Sequence, residues 1–409
     1  MKKKTLSTLV ASALLLAGCS SLTPTPFTQD ELKARVSNDR SSMYADQEPL
    51  TGPITFEEAA ARALKYNLDY RLKLMENALS KSLHDVSKHE MLPKLVASAG
   101  YANRNNDSGG TSVGIDDGQV SLRPSTSQER FRELGNLWLS WSVLDFGVAY
   151  YRTQQKGDQM LMAEERRRKV IQNVLQDVRN AYWRALGAQR LIGDVDRLLD
   201  RVRGALKAAR AAEDQGLMPR QQALGYQRAL LDAVSLLTLR RQDLELSRSE
   251  LAALMSVPPG AKIVLADSAE QVLPEPPQDI NALELMALER RPEIMEEWYR
   301  KRVTEADIKV AKVQLWPNVG IDVNAQYDSN KYLYNNHWVD TGLRVSLNLF
   351  KLLQYPSLDE AHGNQNKVDD MRRMALSMAV LTQVRVGNQR YGLALSELQF
   401  ADESMRVDG

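Results

Sequence analysis

The sequence has one cysteine, Cys19, and four histidines among its 409 residues. A lone thiol excludes an intramolecular disulfide and any cysteine-built metal cluster. The histidines offer no zinc helix either, because His84 and His89 are five apart rather than four and read as solvated. Beyond residue 19 no apolar run approaches the roughly 20 residues that a membrane-spanning helix needs. Any crossing of a bilayer therefore falls to strands. A mean hydropathy of −0.40 is compatible with that, since a barrel strand is apolar on one face only. An excess of one charge is missing too: 53 basic residues stand against 52 acidic ones, which gives no push toward nucleic acid. Catalytic signatures are also missing. Asp145-Phe146-Gly147 copies a kinase metal-binding triplet, but neither a catalytic loop nor a glycine-rich phosphate loop accompanies it. The basic run Arg166-Arg167-Arg168-Lys169, with Glu164-Glu165 before it, reads as a solvated helix face. The sequence predicts no enzyme, no cofactor and no metal site.

What is present begins at the N-terminus. Lys2-Lys3-Lys4, an apolar stretch from Leu6 to Ala17 and small residues before Cys19 make a bacterial export signal, too short to remain as a spanning helix. Leu16-Ala17-Gly18-Cys19 resembles the lipobox of bacterial lipoproteins. That resemblance implies that residues 1–18 are cleaved, that Cys19 is lipidated, and that Ser20 after it directs the chain to the outer membrane. Acyl chains contribute about 0.8 kcal/mol per buried CH₂, so several of them anchor stably. Residues 19–53 are then a lipid-anchored N-terminal segment. Loss of Lys2, Lys3 and Lys4 leaves 50 basic against 52 acidic residues, a nearly neutral mature chain.

The body is a tandem duplication. Shifted by 224 residues, Ala63-Leu64-Lys65-Tyr66-Asn67 lies over Ala287-Leu288-Glu289-Arg290-Arg291, and Leu92-Pro93 lies over Trp316-Pro317. Leu139 to Leu144 matches Val345 to Phe350 at a slightly different offset. A long repeat occurring twice indicates a duplicated domain rather than a solenoid. The first repeat covers 54–260, a proline-rich linker 261–278, and the second repeat 279–409. Each repeat opens with a helix. In the first, Leu64, Leu68, Leu72, Met75, Leu79 and Val86 form a coiled-coil-like seam. Pro93 and Pro317 end these helices. A second helix is expected from about Arg152 to Glu213, with Ile171, Val174, Val178, Tyr182, Ala185, Leu199 and Leu206 on one stripe; unbroken, it would be roughly 90 Å long. Gly216-Leu217-Met218-Pro219 turns the chain into a third helix, from about Arg220 to Val257. After Phe350 the chain has length for one long helix, so the second repeat is expected to be incomplete at its C-terminus.

Strands lie between the helices. Val319, Ile321, Val323, Ala325 and Tyr327 alternate with polar neighbours, and so do Val339, Leu343, Val345, Leu347 and Leu349. A period of two over about ten residues suits a membrane-crossing strand. The first repeat shows it less cleanly in Leu95, Ala97, Ala99 and Tyr101 and in Leu137, Leu139, Trp141 and Val143. A soluble antiparallel sheet with one wet face gives the same alternation. If the strands span, Asp322, Asn324, Gln326, Arg344 and Asn348 line a wet lumen. Four strands cannot close a barrel, since the smallest membrane barrels have about eight, so the chain must then oligomerise.

This plan resembles the TolC-like outer-membrane efflux family over roughly residues 54–409. The carriers are Ile54-Thr55-Phe56-Glu57-Glu58-Ala59, Leu92-Pro93, the run Trp141 to Gly147, Gly216-Leu217 and the run Leu251 to Gly260. The resemblance implies a mainly α chain with a membrane β part: a duplicated long-helix coiled-coil tube, plus four transmembrane strands per protomer completing an oligomeric β-barrel. It implies a homotrimer in the outer membrane of a Gram-negative bacterium, with a periplasmic helical extension. A periplasmic adaptor and an inner-membrane pump are its implied partners. Gln215, Gly216, Leu217 and Met218 become the tip that the adaptor contacts. Read without the resemblance, they are a helix–helix turn in which Gly216 supplies a left-handed conformation. The alternative to a channel is a structural coiled-coil envelope lipoprotein or surface scaffold, which explains the anchor and helices but leaves the strands without a role.

Overall fold

A computed structural model describes residues 26–45, 47–121, 123–258, 260–267, 275 and 279–408. The expected signal peptide, Cys19 and most of the proline-rich linker lie outside the described residues. The described chain is mainly helical. In order it forms α1 (Gln29–Met43), α2 (Phe56–Tyr66), α3 (Leu68–His89), β1 (Lys94–Asn103), β2 (Gly109–Gly110), β3 (Ser125–Thr126) and β4 (Phe131–Ser142). There follow α4 (Val143–Asp214), α5 (Arg220–Leu254), α6 (Ile280–Arg290), α7 (Pro292–Val313), β5 (Asn318–Asp328), β6 (His337–Ser346), a 3₁₀ turn (Leu349–Gln354) and α8 (Tyr355–Asp408). Two compact units emerge: Thr55–Trp183 with Asp267–Gly409, and Met1–Ile54 with Arg184–Ala266.

In the larger unit, the opening helix of each repeat is two helices rather than the single one expected. The break after α2 falls at Asn67, whose ψ of 123° leaves the helical region while its side chain accepts the Tyr70 N–H at 3.0 Å and caps α3. The break after α6 falls at extended Arg291, and Pro292 follows as the first residue of α7, where a missing N–H costs nothing. Boundaries repeat at the sequence offset of 224: Phe56 and Ile280, Tyr66 and Arg290, Leu68 and Pro292, His89 and Val313, Lys94 and Asn318. The caps repeat as well, since Thr55 accepts the Glu58 N–H and Asp279 accepts those of Asn281 and Ala282.

The strands of both repeats form one antiparallel sheet in the order β1-β4-β5-β6. Helix α4 follows β4 without a gap, starting nine residues before the expected Arg152, because the Ser142 hydroxyl accepts the Asp145 N–H at 3.1 Å and caps it at once. The connector between β1 and β4 carries the small β2–β3 ladder, and Arg130 pairs with Asp107 at its base.

Helices of this unit are tied by polar bonds as well as by apolar burial. Arg167 donates to the Tyr70 hydroxyl at 3.1 Å and pairs with Glu164, which also accepts from Asn77. Arg166 pairs with Glu296 and Arg168 with Glu165, both at 2.8 Å, so the three arginines of the basic run carry ion pairs on a face that is still partly solvated. Asp158, only 2% exposed, meets Arg302 at 2.6 Å. Phe56 packs edge-on against buried Tyr182 at 5.8 Å, beside buried Ala59, Ala63, Val174 and Val178. The stripe expected on α4 is therefore inward. The seam expected on α2–α3 is different: Leu68, Leu72, Met75, Leu79 and Val86 are all exposed, because α3 meets its own chain through Tyr70, Asn77 and Ser87 instead.

The smaller unit is held around Ile54. Its N–H donates to the Val264 carbonyl at 2.9 Å, and the Ala266 N–H donates back to the Ile54 carbonyl at 2.8 Å. Gln189 of α4 accepts the Leu265 N–H and donates to the Leu265 carbonyl. Buried Leu251, Met255, Ile263 and Leu265 complete the cluster. Helix α5 stops at Leu254, short of the expected Val257, because Ser256 takes a φ of +55° and closes the helix end. The N–H of Val257 reaches the Ala252 carbonyl and that of Ser256 reaches Ala253, which satisfies two orphan acceptors.

Candidate functional site

Register decides what the sheet presents. Leu95, Leu139, Val323 and Thr341 stand side by side across the four strands, as do Ala97, Leu137, Ala325 and Val339. Successive side chains alternate between faces. The other face therefore carries Lys94, Ser140, Asp322 and Gly342 in one row, Val96, Trp138, Asn324 and Asp340 in the next, and Ser98, Asn136, Gln326 and Trp338 in a third. One side is mainly apolar, with Glu133, His337 and Thr341 among the exceptions, and the other carries most of the polar residues, together with Val96 and Leu134. A slip of one residue in any pair would mix the two.

The polar side borders a groove of about 790 Å³ whose lining includes Trp138, Ser140, Asp322, Asn324, Asp340 and Arg344. Its residues are held by one another. The Trp138 indole donates to Asp322 at 3.0 Å, the Trp338 indole donates to Asp340 at 2.9 Å, and Gln326 donates to the same Asp340 oxygen at 2.6 Å. At one end Ser142 donates to Asn318 at 2.6 Å; at the other Arg132 pairs with Asp328 at 2.9 Å.

Of the five residues expected along this face, Asp322, Asn324 and Gln326 lie on β5 and Arg344 on β6, all of one parity in a shared register. Asn348 does not belong with them. Strand β6 ends at Ser346, and the Asn348 side chain accepts the Lys351 N–H at 3.3 Å to cap the 3₁₀ turn. Its counterpart in the first repeat is Ser142, which caps α4 in the same way. Alternation thus runs two residues past the strand because a capping residue is polar for its own reason. Sequence reasoning missed Trp138, Trp338 and Asp340. The signal for Asp340 was its parity with Arg344; the tryptophans read as apolar, although each places its N–H on a carboxylate.

Beyond Asp328 the β5–β6 turn is fastened to the segment before β4. Asn330, 2% exposed, accepts the Glu129 N–H at 3.1 Å and donates to the Ser127 carbonyl at 2.8 Å. Lys331 pairs with Glu129 at 3.1 Å. Backbone contacts of this charged pair lower the Glu129 carboxyl below its usual range, the Lys331 N–H being the first cause.

In the smaller unit the turn Gln215-Gly216-Leu217-Met218 closes α4. Gly216 has a φ of +66°; its N–H reaches the Glu213 carbonyl, and that of Leu217 reaches Ala212. This is the helix stop that Gly216 led us to expect. Leu217 is 72% exposed. Among the described residues no helix is long and apolar enough to cross a membrane, and no group of three or more His, Cys, Asp or Glu side chains could hold a metal ion.

Comparisons place this arrangement. Residues 59–257 match the family model described as outer membrane efflux protein. No curated protein matches the sequence. Solved structures share the fold: the CmeC outer membrane channel of Campylobacter jejuni, with 14% identity over 88% of this chain and 79% of that one, has a TM-score of 0.58. CusC, with 15% identity over 88% of this chain and 80% of that one, gives 0.57. The MtrE outer membrane channel of Neisseria gonorrhoeae, with 15% identity over 85% and 74%, gives 0.53. At such identities the likeness speaks for the fold, and the family model speaks for descent. Both point the same way: residues 59–257 are similar to the outer membrane efflux protein family, and the chain shares the fold of these solved channels.

Proposed function

We propose that the chain is one subunit of a passive outer-membrane channel, the exit duct of a tripartite efflux or type I-like secretion system. The observation that carries this reading is the shared register, which gives the sheet one mainly apolar face and one mainly polar face. The first faces lipid; the second, with Asp322, Asn324, Gln326 and Arg344, lines a wet bore. Tyr101, Phe131 and Tyr327 on the apolar side near one end, and Trp141 near the other, suit the aromatic girdles of a membrane barrel.

Strands β1 and β6 lie at the two edges of the sheet. An open edge in lipid costs several kcal/mol for each unpaired backbone group. The strands alternate in direction, so β6 of one copy can pair antiparallel with β1 of the next. A homotrimer closes the barrel in this way. The exposed stripe Leu68, Leu72, Met75, Leu79 and Val86 supports contact between copies through the helices as well. A lipidated Cys19 adds an anchor to the same membrane. The turn Gln215 to Met218, with Leu217 offered to solvent, is the contact for a periplasmic adaptor. An inner-membrane pump supplies the energy, and this subunit performs no catalysis of its own.

Planar bilayers test the proposal. Purified protein is expected to give stepwise conductance and to migrate as a heat-sensitive trimer. An acylated monomer that neither conducts nor enters vesicles would overturn it.

A further inference from the structure

Below the sheet, at the junction of β6 with α8, the 3₁₀ turn carries Leu349, Phe350, Leu352 and Leu353. Phe350 is 83% exposed and Leu353 76%, as exposed as Leu343 on the apolar face of β6 at 73%. Trp316, two residues before β5 and thus at the same end of the sheet, is 70% exposed. None of these residues lines the polar groove. A turn this apolar, capped by Asn348, is costly in water at about 25 cal/mol per Å² of apolar surface. Between Phe350 and Leu352 stands Lys351, which takes part in no ion pair among the described residues.

We infer that Trp316 and the turn Leu349–Gln354 form an interfacial foot, which seats in the periplasm-facing leaflet of the bilayer and binds lipid. Phe350 and Leu353 enter the acyl boundary, and Lys351 reaches an anionic headgroup. The inference rests on the channel reading, because the foot continues the apolar face of β6 through Val339, Leu343 and Val345. Lipid fits better than a second copy. A neighbouring protomer would pair with the backbone edge of β6, which ends at Ser346, whereas the turn lies beyond that edge. Aromatic and basic residues at the margin of an apolar band are the groups that tolerate a headgroup region.

The test uses the full chain in phosphatidylethanolamine–phosphatidylglycerol vesicles. Nitroxide labels are placed by Leu343→Cys, Phe350→Cys, Leu353→Cys and, for a solvated reference on α8, Glu403→Cys. The unsubstituted chain, whose only thiol is Cys19, gives the background. Labels at 350 and 353 are expected to relax with oxygen and to be shielded from a water-soluble nickel chelate, at shallower depth than the label at 343. Nickel access equal to that at 403 would overturn the inference, and so would shielding from both reagents, which signals cover by protein. If the label at 343 also meets nickel, the lipid-facing strand itself is wrong; if only 350 and 353 do, the channel reading stands and the foot falls. Lys351→Glu is expected to move the 353 label toward water only when phosphatidylglycerol is present. No shift there removes the headgroup contact.

Discussion

Trp138 on β4 donates its indole N–H to the carboxylate of Asp322 on β5, 3.0 Å away and two residues off the direct register, in which Trp138 faces Asn324. A large aromatic side chain is thereby made compatible with the polar face, because its polar edge restrains a charge. Trp338 does the same for Asp340 within β6. The two carboxylates are held against the sheet rather than left to swing into the groove.

Charge reversal at these positions should be read in the ions that pass. Asp322→Lys and Asp340→Lys are expected to move the reversal potential of reconstituted channels toward anions under a salt gradient. Trp138→Phe keeps the ring and removes the donor, and should cost less than about 1 kcal/mol because the bond is exposed. An unchanged reversal potential in both lysine variants would place the carboxylates outside the conduction path.

The sheet's sidedness makes a sharper demand. Val323 and Asn324 are adjacent on β5 and point to opposite faces. Val323→Arg at the lipid face is expected to lose about 2–4 kcal/mol of stability in the bilayer, while Asn324→Arg should be tolerated. Urea unfolding in lipid vesicles measures both. Equal tolerance would count against the face assignment.

How much of this was legible beforehand depends on which physical signal a residue carries. The repeat offset was readable from Leu92-Pro93 and Trp316-Pro317, and it locates β1 and β5 correctly. The breaks at Asn67 and Arg291 were hidden, because Leu64 and Leu68 keep helical spacing across the first of them. The stripe on α3 was legible as amphipathic, but periodicity says nothing about who covers an apolar face, and among the described residues of one chain it stays exposed. The polar face was half legible. Asp322, Asn324, Gln326 and Arg344 announce it, while the tryptophans do not, since the donor on an indole is invisible to a pattern of apolar and polar letters. Asn348 was misplaced for the converse reason: a cap and a lumen residue are both polar.

Two carboxylates on α4, six positions apart, should respond to pH with opposite signs. Burial raises the Asp158 pKa, with Arg302 only partly offsetting it. The folded chain then binds that proton more tightly than the unfolded one, so this residue's contribution is best below the unfolded value near 3.9 and is lost as pH rises through the folded value. The hydrogen bond from Arg167 lowers Glu164, whose contribution is present above the unfolded value near 4.3 and is lost as pH falls through the folded one. At pH 7 Asp158→Asn should leave the thermal midpoint unchanged or higher. Glu164→Gln should lower it by the equivalent of less than about 1 kcal/mol, since the pair is partly solvated. Both differences should shrink toward pH 3. A lower midpoint for Asp158→Asn would mean that its pairing with Arg302 outweighs the cost of burial.

The two helix stops of the smaller unit provide a matched experiment on backbone strain. Gly216 ends α4 at a φ of +66° and Ser256 ends α5 at +55°, each with the same pair of backbone bonds closing the helix. A side chain in that left-handed region costs about 1–2 kcal/mol, and glycine does not incur it. Among the described residues the Ser256 hydroxyl makes no hydrogen bond that would offset this cost: the Gln47 amide, at 2.6 Å, donates to its carbonyl, a contact that survives substitution. Ser256→Gly is therefore expected to stabilise the unit by about 0.5–1 kcal/mol, after the greater freedom of glycine in the unfolded chain is subtracted. Gly216→Ala should destabilise by about 1 kcal/mol through the backbone alone, because nothing lies within 4 Å of the added methyl. Denaturant titrations of both variants report these shifts as opposite displacements of the midpoint at constant slope. If Ser256→Gly instead lowers the midpoint, the Ser256 hydroxyl holds the helix end by a contact worth more than the strain it imposes.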